Sequence, residues 1–313
     1  MNNLSIWLSA LRLRTLPLAA SSIIVGAGIA VNQQVFSVSI FLLSLITALL
    51  LQILSNLAND YGDSVTGADD VNRIGPERAM QTGAISHKTM KNAIIFTVAL
   101  TLISGSALLF FALNDNLFSW LIFLGLGVLA IVAAITYTMG KLPYGYRALG
   151  DFAVFLFFGL LGVIGSFYLY AHSFNWLLIL PASSIGLLSA AVLNINNLRD
   201  VENDSKHNKT TLVVLLGRKV AFKYHLCLVT LSPLLASYYL YRLEDTQVWH
   251  YIFLLAMSPL IKSCSALNDA IMTATKNTNA EYQSLGKQFD AQLKNTAIGT
   301  FVFAMLFALV LIA

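Results

Sequence analysis

The chain has 313 residues, of which 57% are hydrophobic and only 11% charged, and its mean hydropathy is +0.73. A soluble domain carries about 25% charged residues, so this composition excludes an ordinary soluble fold and indicates a polytopic membrane protein. A net charge of +4 would also suit a nucleic-acid binder, but the basic residues follow a membrane topology, and no nucleic acid is expected as a partner.

About 20 apolar residues cross a bilayer. Nine such stretches follow one another, at about 13–31, 38–58, 92–113, 117–138, 152–171, 175–197, 220–241, 248–266 and 295–313. The eighth carries His250 and Lys262 and is the weakest. Arg12 and Arg14 precede span 1, and Arg73, Arg78, Lys88 and Lys91 lie between spans 2 and 3. Lys141 and Arg147 follow span 4, a third basic group surrounds the connection from span 6 to 7, and a fourth flanks the connection from 8 to 9. Arg242 alone of the 19 Lys and Arg residues falls on the other side. The positive-inside rule then puts the N-terminus in the cytoplasm and the C-terminus outside. Span 1 also has some likeness to a signal peptide ending at Gly28-Ile29-Ala30, whose cleavage would leave eight spans. Cys227 and Cys264 have no metal or disulfide spacing and read as buried packing residues. The expectation is an all-α membrane protein, one domain over 1–313, with nine transmembrane helices. Its cytoplasmic loops are 59–91, 139–151, 198–219 and 267–294. These are longer than the outer connections, so function belongs on the cytoplasmic face.

Span 2 ends in Asn56-Leu57-Ala58-Asn59-Asp60-Tyr61-Gly62-Asp63, followed by Asp69 and Asp70. If the helix continues, Asn56, Asp60 and Asp63 share one face. Span 6 ends in Asn194-Ile195-Asn196-Asn197-Leu198-Arg199-Asp200, followed by Asp204, and Asn197, Asp200 and Asp204 again share a face. Carboxylates at such spacing repel one another, and a nearby membrane adds a desolvation cost. A hard cation resolves both, and magnesium prefers carboxylate, water and phosphate oxygens. Two facing clusters suit two ions bridged by a diphosphate. Arg73, Arg78, Lys141 and Lys209 lie on the same face and would neutralise phosphate oxygens that the ions do not reach. Tyr137, Tyr144 and Tyr146 could be interfacial belt residues, or present rings to a carbocation. Asp151, at the start of span 5, is a further candidate wall residue. There is no P-loop, no dinucleotide fingerprint and no nucleophile elbow.

These residues resemble the UbiA superfamily of intramembrane prenyltransferases. The superfamily's N-D-x-x-D pattern after helix 2 reads Asn59-Asp60-Tyr61-Gly62-Asp63, and its D-x-x-x-D pattern after helix 6 reads Asp200 to Asp204. Arg78, five residues before Gly83, matches the family's loop arginine, and Lys209 matches the lysine after the second pattern. One departure is that Asp69 follows Asp63 by six positions where the pattern has four. Within the superfamily the wording over Gln52 to Ser86, Tyr137 to Asp151 and Asn194 to Leu212 is closest to the branch that prenylates 1,4-dihydroxy-2-naphthoate in menaquinone synthesis.

The resemblance implies nine helices and two Mg²⁺ ions bound by Asn59, Asp60 or Asp63, Asp69, Asp200 and Asp204, with Asn56 and Asn197 as further ligands. It implies a polyprenyl diphosphate as donor and a site on the cytoplasmic side of a bacterial inner membrane. Catalysis would fall to Asp60, Asp63, Asp200, Asp204 and Tyr137, and substrate binding to Arg73, Arg78, Lys141, Lys209, Tyr144 and Asn196. Arg14 would meet the naphthoate carboxylate. Other aromatic acceptors, such as 4-hydroxybenzoate, homogentisate or haem, would share the same metal–diphosphate machinery. A cation-coupled transporter is the rival of another class, but its ion site would lie near the bilayer midplane, not at helix ends.

Overall fold

The computed structural model describes residues 3–67, 78–113, 116–243, 246–274 and 282–313. Helix α1 (Asn3–Leu11) and a short 3₁₀ turn (Leu13–Thr15) lead into α2 (Leu16–Asn32), which has Pro17 in its first turn, where a missing N–H costs nothing. Then come α3 (Val38–Thr66), α4 (His87–Leu113) and α5 (Leu117–Thr136). The next span is composite: α6 (Gly150–Val154), a π-helical stretch (Phe155–Gly165) and α7 (Ser166–Ala171). Helices α8 (Ile179–Lys206), α9 (Leu212–Tyr241), α10 (Met257–Ala274) and α11 (Tyr282–Ile312) complete the chain. Helix α8 is central, packed against α9, the π-helical stretch and α11, while α11 also lies along α2 and α10. Helix α3 packs on α4, α2 and α5.

Among the described residues eight helical stretches are long and apolar enough to cross a membrane. They account for all the expected spans except 220–241, which lies within α9. The first half of α9 carries Arg218, Lys219 and Lys223, Gly217 breaks its helical backbone (φ 72°, ψ 157°), and Pro233 stands inside it. The count of nine therefore rests on α9, whose apolar run these residues interrupt. The eighth stretch, weakest in the sequence, falls in Val248–Met272, which does qualify. Of the cysteines, Cys264 is buried as expected, but Cys227 is exposed on α9.

The expected loops are shorter than the apolar runs suggested. Helix α3 runs on to Thr66, where Gly67 (φ 77°) ends it, and α8 runs to Lys206. Polar residues end an apolar run, but they do not end backbone hydrogen bonding, so both acidic clusters lie on helix rather than in loops.

Two close approaches fix the helix ends. A Cβ on Gly62 would stand 2.6 Å from Thr138 Oγ1 and 2.7 Å from its carbonyl oxygen, so only glycine lets α3 meet the segment after α5. In the composite span a Cβ on Gly159 would meet the Ala182 carbonyl at 2.7 Å, seating the π-helical stretch on α8. Substituting Gly62 by Ala should lower stability by about 1–3 kcal/mol, the usual cost of overpacking. Gly125→Ala, where a Cβ meets nothing within 4 Å, should be neutral or slightly stabilising. Thermal unfolding of the two variants in detergent checks the contrast.

Candidate active site

Helix α3 delivers the first cluster. Asp60 and Asp63 are each 2% exposed at its last buried turns. Arg78 approaches both: its NH1 donates to Asp63 Oδ2 at 2.8 Å and its Nε lies 3.9 Å from Asp60 Oδ1. The two residues after Arg78 anchor it. Ala79 and Met80 are buried in a core cluster with Leu54, Leu57 and Met90. The Arg78 carbonyl accepts from Thr82 N at 3.1 Å, and Gly83 takes the left-handed φ of 71° that closes the turn. Asn59 lines the central cavity and its side-chain oxygen accepts from Thr138 Oγ1 at 3.2 Å. Asn56 is used differently. Its amide donates to the Leu11 carbonyl (2.9 Å) and Thr15 Oγ1 (3.0 Å), and its oxygen accepts from Gln52 (3.1 Å), so it ties α3 to the segment before α2.

Helix α8 delivers the second cluster. Asp204 is buried beside Lys209, with 3.4 Å between Oδ1 and Nζ, and its Oδ2 is buried with no hydrogen-bond partner. Asp200 receives both arms of the neighbouring Arg199, Nε to Oδ1 at 2.8 Å and NH2 to Oδ2 at 2.6 Å. Asn196 and Asn197 line the cavity, and Asn196 Oδ1 accepts from Arg199 NH2 at 2.8 Å.

Lys209 joins the two clusters. Its Nζ lies 3.9 Å from Asp63 Oδ1 as well as 3.4 Å from Asp204. Burial works against its charge, but Asp63 and Asp204 more than offset this and hold its pKa above the usual lysine value. Tyr146 closes the group: its hydroxyl donates to Asp63 Oδ1 at 2.7 Å and its ring lies 5.3 Å from Lys209 Nζ. Burial first, then the Asp63 charge, raises the pKa of Tyr146, so it stays a donor. Backbone bonds hold the loops together. Thr210 N donates to the Tyr146 carbonyl at 3.1 Å and Ala148 N to the Thr210 carbonyl at 2.7 Å, with a parallel bridge between Arg147 and Thr210.

From these groups a cavity of about 420 Å³ runs into the bundle. Asp63, Arg78 and Lys209 stand at one end, and Leu109, Phe123, Phe157 and Leu169 line its depth. Its wall also carries hydroxyls that bond within the protein: Thr47 to Leu43, Thr101 to Thr97, Ser189 to Ile185 and Ser166 to Val163 carbonyls, and Ser22 to the Phe158 carbonyl. Tyr137 and Tyr144 both line the cavity, edge to face at 5.3 Å. The Tyr144 hydroxyl donates to the Ala133 carbonyl at 2.9 Å, and burial pushes its pKa up to about 12.

Not every expected residue joins this group. Asp69 and Arg73 lie outside the described residues. Lys141 is exposed and does not line the cavity. Arg14 turns instead to Asp290, 3.7 Å away on α11. The cation of this segment that does line the cavity is Arg12, held in a left-handed backbone (φ 49°, ψ 56°). A non-glycine residue in that region marks a functional constraint often enough to look there, but a sequence does not display φ. Tyr146 was expected as a ring, but its hydroxyl bond to Asp63 was not, and Asp290 was missed altogether, because their partners lie far away along the chain.

Among the described residues no three carboxylate, imidazole or thiolate side chains are already gathered as a metal centre. The donor set nevertheless fits a hard cation: buried carboxylate and amide oxygens from two helices, no sulfur or imidazole, and an Asp204 oxygen that accepts no hydrogen bond. Asp60, Asp63, Asp200, Asp204 and Asn59 are the side chains that could hold one. The arginine and lysine partners now neutralise the positions that a cation would take.

Paired acidic helix ends with interleaved cations, over an apolar cavity in a helical membrane bundle, suit a ligand with a polyanionic head and an apolar tail. The chain belongs to the UbiA prenyltransferase family, whose model matches residues 19–271. The 1,4-dihydroxy-2-naphthoate octaprenyltransferase of Escherichia coli (strain K12) is 53% identical over 257 residues, covering 82% of each chain. The protein of the same description from Haemophilus influenzae is 48% identical, covering 83% of this chain and 84% of its own. That of Mycobacterium tuberculosis is 37% identical, covering 67% and 70%. In fold, the chain is similar to a UbiA homologue from Archaeoglobus fulgidus bound to GPP and Mg²⁺, with a TM-score of 0.57, 18% identity and coverage of 95% and 99%. The apo structure of a UbiA homologue from Aeropyrum pernix K1 gives 0.55 at 17% identity, covering 88% and 96%.

Lys209→Gln should leave Asp63 and Asp204 short of a counter-charge and cost about 3–5 kcal/mol of stability. Adding Asp63→Asn should recover part of that loss, and a double-mutant cycle by thermal unfolding measures the coupling. Additive losses would mean that the two side chains act independently.

Proposed function

We propose that the protein transfers a polyprenyl group from polyprenyl diphosphate to 1,4-dihydroxy-2-naphthoate, releasing diphosphate and CO₂ and forming demethylmenaquinol for menaquinone biosynthesis. The single observation that carries this is the convergence of acids from α3 and α8 on Arg78 and Lys209 at the mouth of an apolar cavity. The description of relatives at 53% and 48% identity supports the naphthoate as acceptor and an aromatic prenyltransferase as the class of enzyme.

Two Mg²⁺ ions, when bound, would supply Lewis acidity to the diphosphate oxygens and lower the cost of the leaving charge. Asp60, Asp63 and Asn59 on α3 and Asp200, Asp204 and Asn197 on α8 are the side chains that would hold them. Arg78 and Lys209 exchange their carboxylate partners for diphosphate oxygens, keeping a charge-assisted bond throughout. As the allylic C–O bond breaks, positive charge develops on the prenyl C1. The Tyr137 and Tyr144 rings at the cavity wall stabilise it and exclude water. The ring carbon of the naphthoate bonds that carbon, and the carboxylate leaves as CO₂. Arg12, rather than Arg14, meets the carboxylate and orients the acceptor. The cavity between helices holds the prenyl tail, which stays in the membrane. The protein is a multi-pass membrane protein; in this reading it sits in the bacterial inner membrane as one domain over 1–313. Its site lies on the cytoplasmic side, where the basic connections collect.

Purified protein with Mg²⁺, a prenyl diphosphate and dihydroxynaphthoate should form the prenylated naphthoquinol. EDTA should abolish this and Mg²⁺ restore it. Transfer to 4-hydroxybenzoate alone would overturn the acceptor assignment. Asp63→Ala and Asp200→Ala should each lower turnover about a hundredfold or more, as loss of a group that stabilises developing charge does. Full activity in both would refute the two-cluster site. Arg12→Gln should raise the KM for the naphthoate about tenfold or more, the scale of a lost charged hydrogen bond, and leave the KM for the prenyl diphosphate nearly unchanged. Equal effects on both would argue against its role.

A further inference from the structure

Arg199 is the largest fully buried side chain among the described residues, 1% exposed at the site end of α8. Such a guanidinium needs negative partners, and it has two on opposite sides. One is Asp200, bound through Nε and NH2. The other is Asp290, on the first turns of α11, which accepts from NH1. Asp290 belongs to neither acidic cluster and lies 90 residues beyond Asp200. Its carboxylate also faces Arg14, so three segments of chain meet on it. Leu293, one turn along α11, lines the cavity, as does Asn196, which Arg199 also holds.

Asp200 is therefore claimed twice. Both its oxygens face Arg199, yet the proposed function asks the same oxygens to hold a divalent cation. Were Asp200 the sole counter-charge of Arg199, turning it to a metal would leave a buried guanidinium uncompensated, which opposes metal binding. Asp290 removes that conflict. We propose that Asp290 is a positioning residue for the metal end of α8: it retains Arg199 when Asp200 takes up Mg²⁺, so that Asp200 exchanges one cation for another at little cost. This inference rests on the reading of Asp200 as a metal ligand, and Asp290 itself touches neither metal nor substrate.

The test is Mg²⁺-dependent thermal stabilisation of the purified full-length protein, read as the Mg²⁺ concentration at half-maximal shift, beside Mg²⁺-dependent turnover. Asp290→Asn should raise that midpoint at least tenfold, with turnover at saturating Mg²⁺ reduced less than threefold. Asp290→Glu, which keeps the charge, should stay within threefold of the natural protein. Arg199→Gln combined with Asp290→Asn removes the guanidinium together with its counter-charge and should return the midpoint towards the natural value. A midpoint within twofold of the natural one in Asp290→Asn would overturn the proposal. If that variant does not fold, the double variant carries the test, and a tenfold weaker midpoint in it would equally overturn the proposal. Asp200→Asn separates the two levels. An unshifted midpoint there removes Asp200 from the metal site, and with it the reading of Asp200 on which this inference rests. A shift there without one in Asp290→Asn refutes only the role of Asp290.

Discussion

Carboxylates buried at a helix end, next to hydrocarbon, are tolerable only if each has a partner of opposite charge. Asp60, Asp63, Asp200 and Asp204 meet this condition through three cations, Arg78, Arg199 and Lys209. Lys209 is shared between α3 and α8, so neutralising the charge and bringing the two helix ends together are one event. The rest of the polar end is arranged around that requirement.

Two of these cations, Arg78 and Lys209, are held by something apolar or by backbone. Arg78 is placed by its buried neighbours Ala79 and Met80. Lys209 is placed by the backbone exchange between Thr210 and the Tyr146–Ala148 segment, which also carries the Tyr146 hydroxyl to Asp63. Gly62 lets Thr138 approach α3, and Thr138 fixes Asn59 in turn. A polyanionic substrate entering here meets donors already in position, which is the arrangement best suited to stabilising charge that develops only during reaction.

The two clusters were legible in the sequence because helical phase is local: residues three, four and seven apart must share a face if the helix continues, and it does. What lay beyond local phase was not legible. Arg14 and Arg12 are both basic residues before the same span, and only the left-handed turn at Arg12 decides which one lines the cavity. Asn56 carries a ligand-like amide but gives it to Leu11 and Thr15, partners more than 40 positions away. Lys141 shares a loop with Tyr144 and Tyr146 yet points to solvent. The spans were read well from apolar runs except in α9, where Lys223 and Pro233 dilute the signal, and their polar ends were read too short. Asp290 carried no local signal at all.

The hydroxyls in the cavity wall have a consequence of their own. Thr47, Thr101, Ser166 and Ser189 donate their protons to carbonyls of their own helices or the adjoining turn, and Ser22 to the π-helical stretch. A hydrocarbon sliding past them has no hydrogen bond to break and none to make. Along these five hydroxyls its grip is a sum over buried carbons. That part of the wall holds an apolar tail by area alone and fastens it at no single hydroxyl.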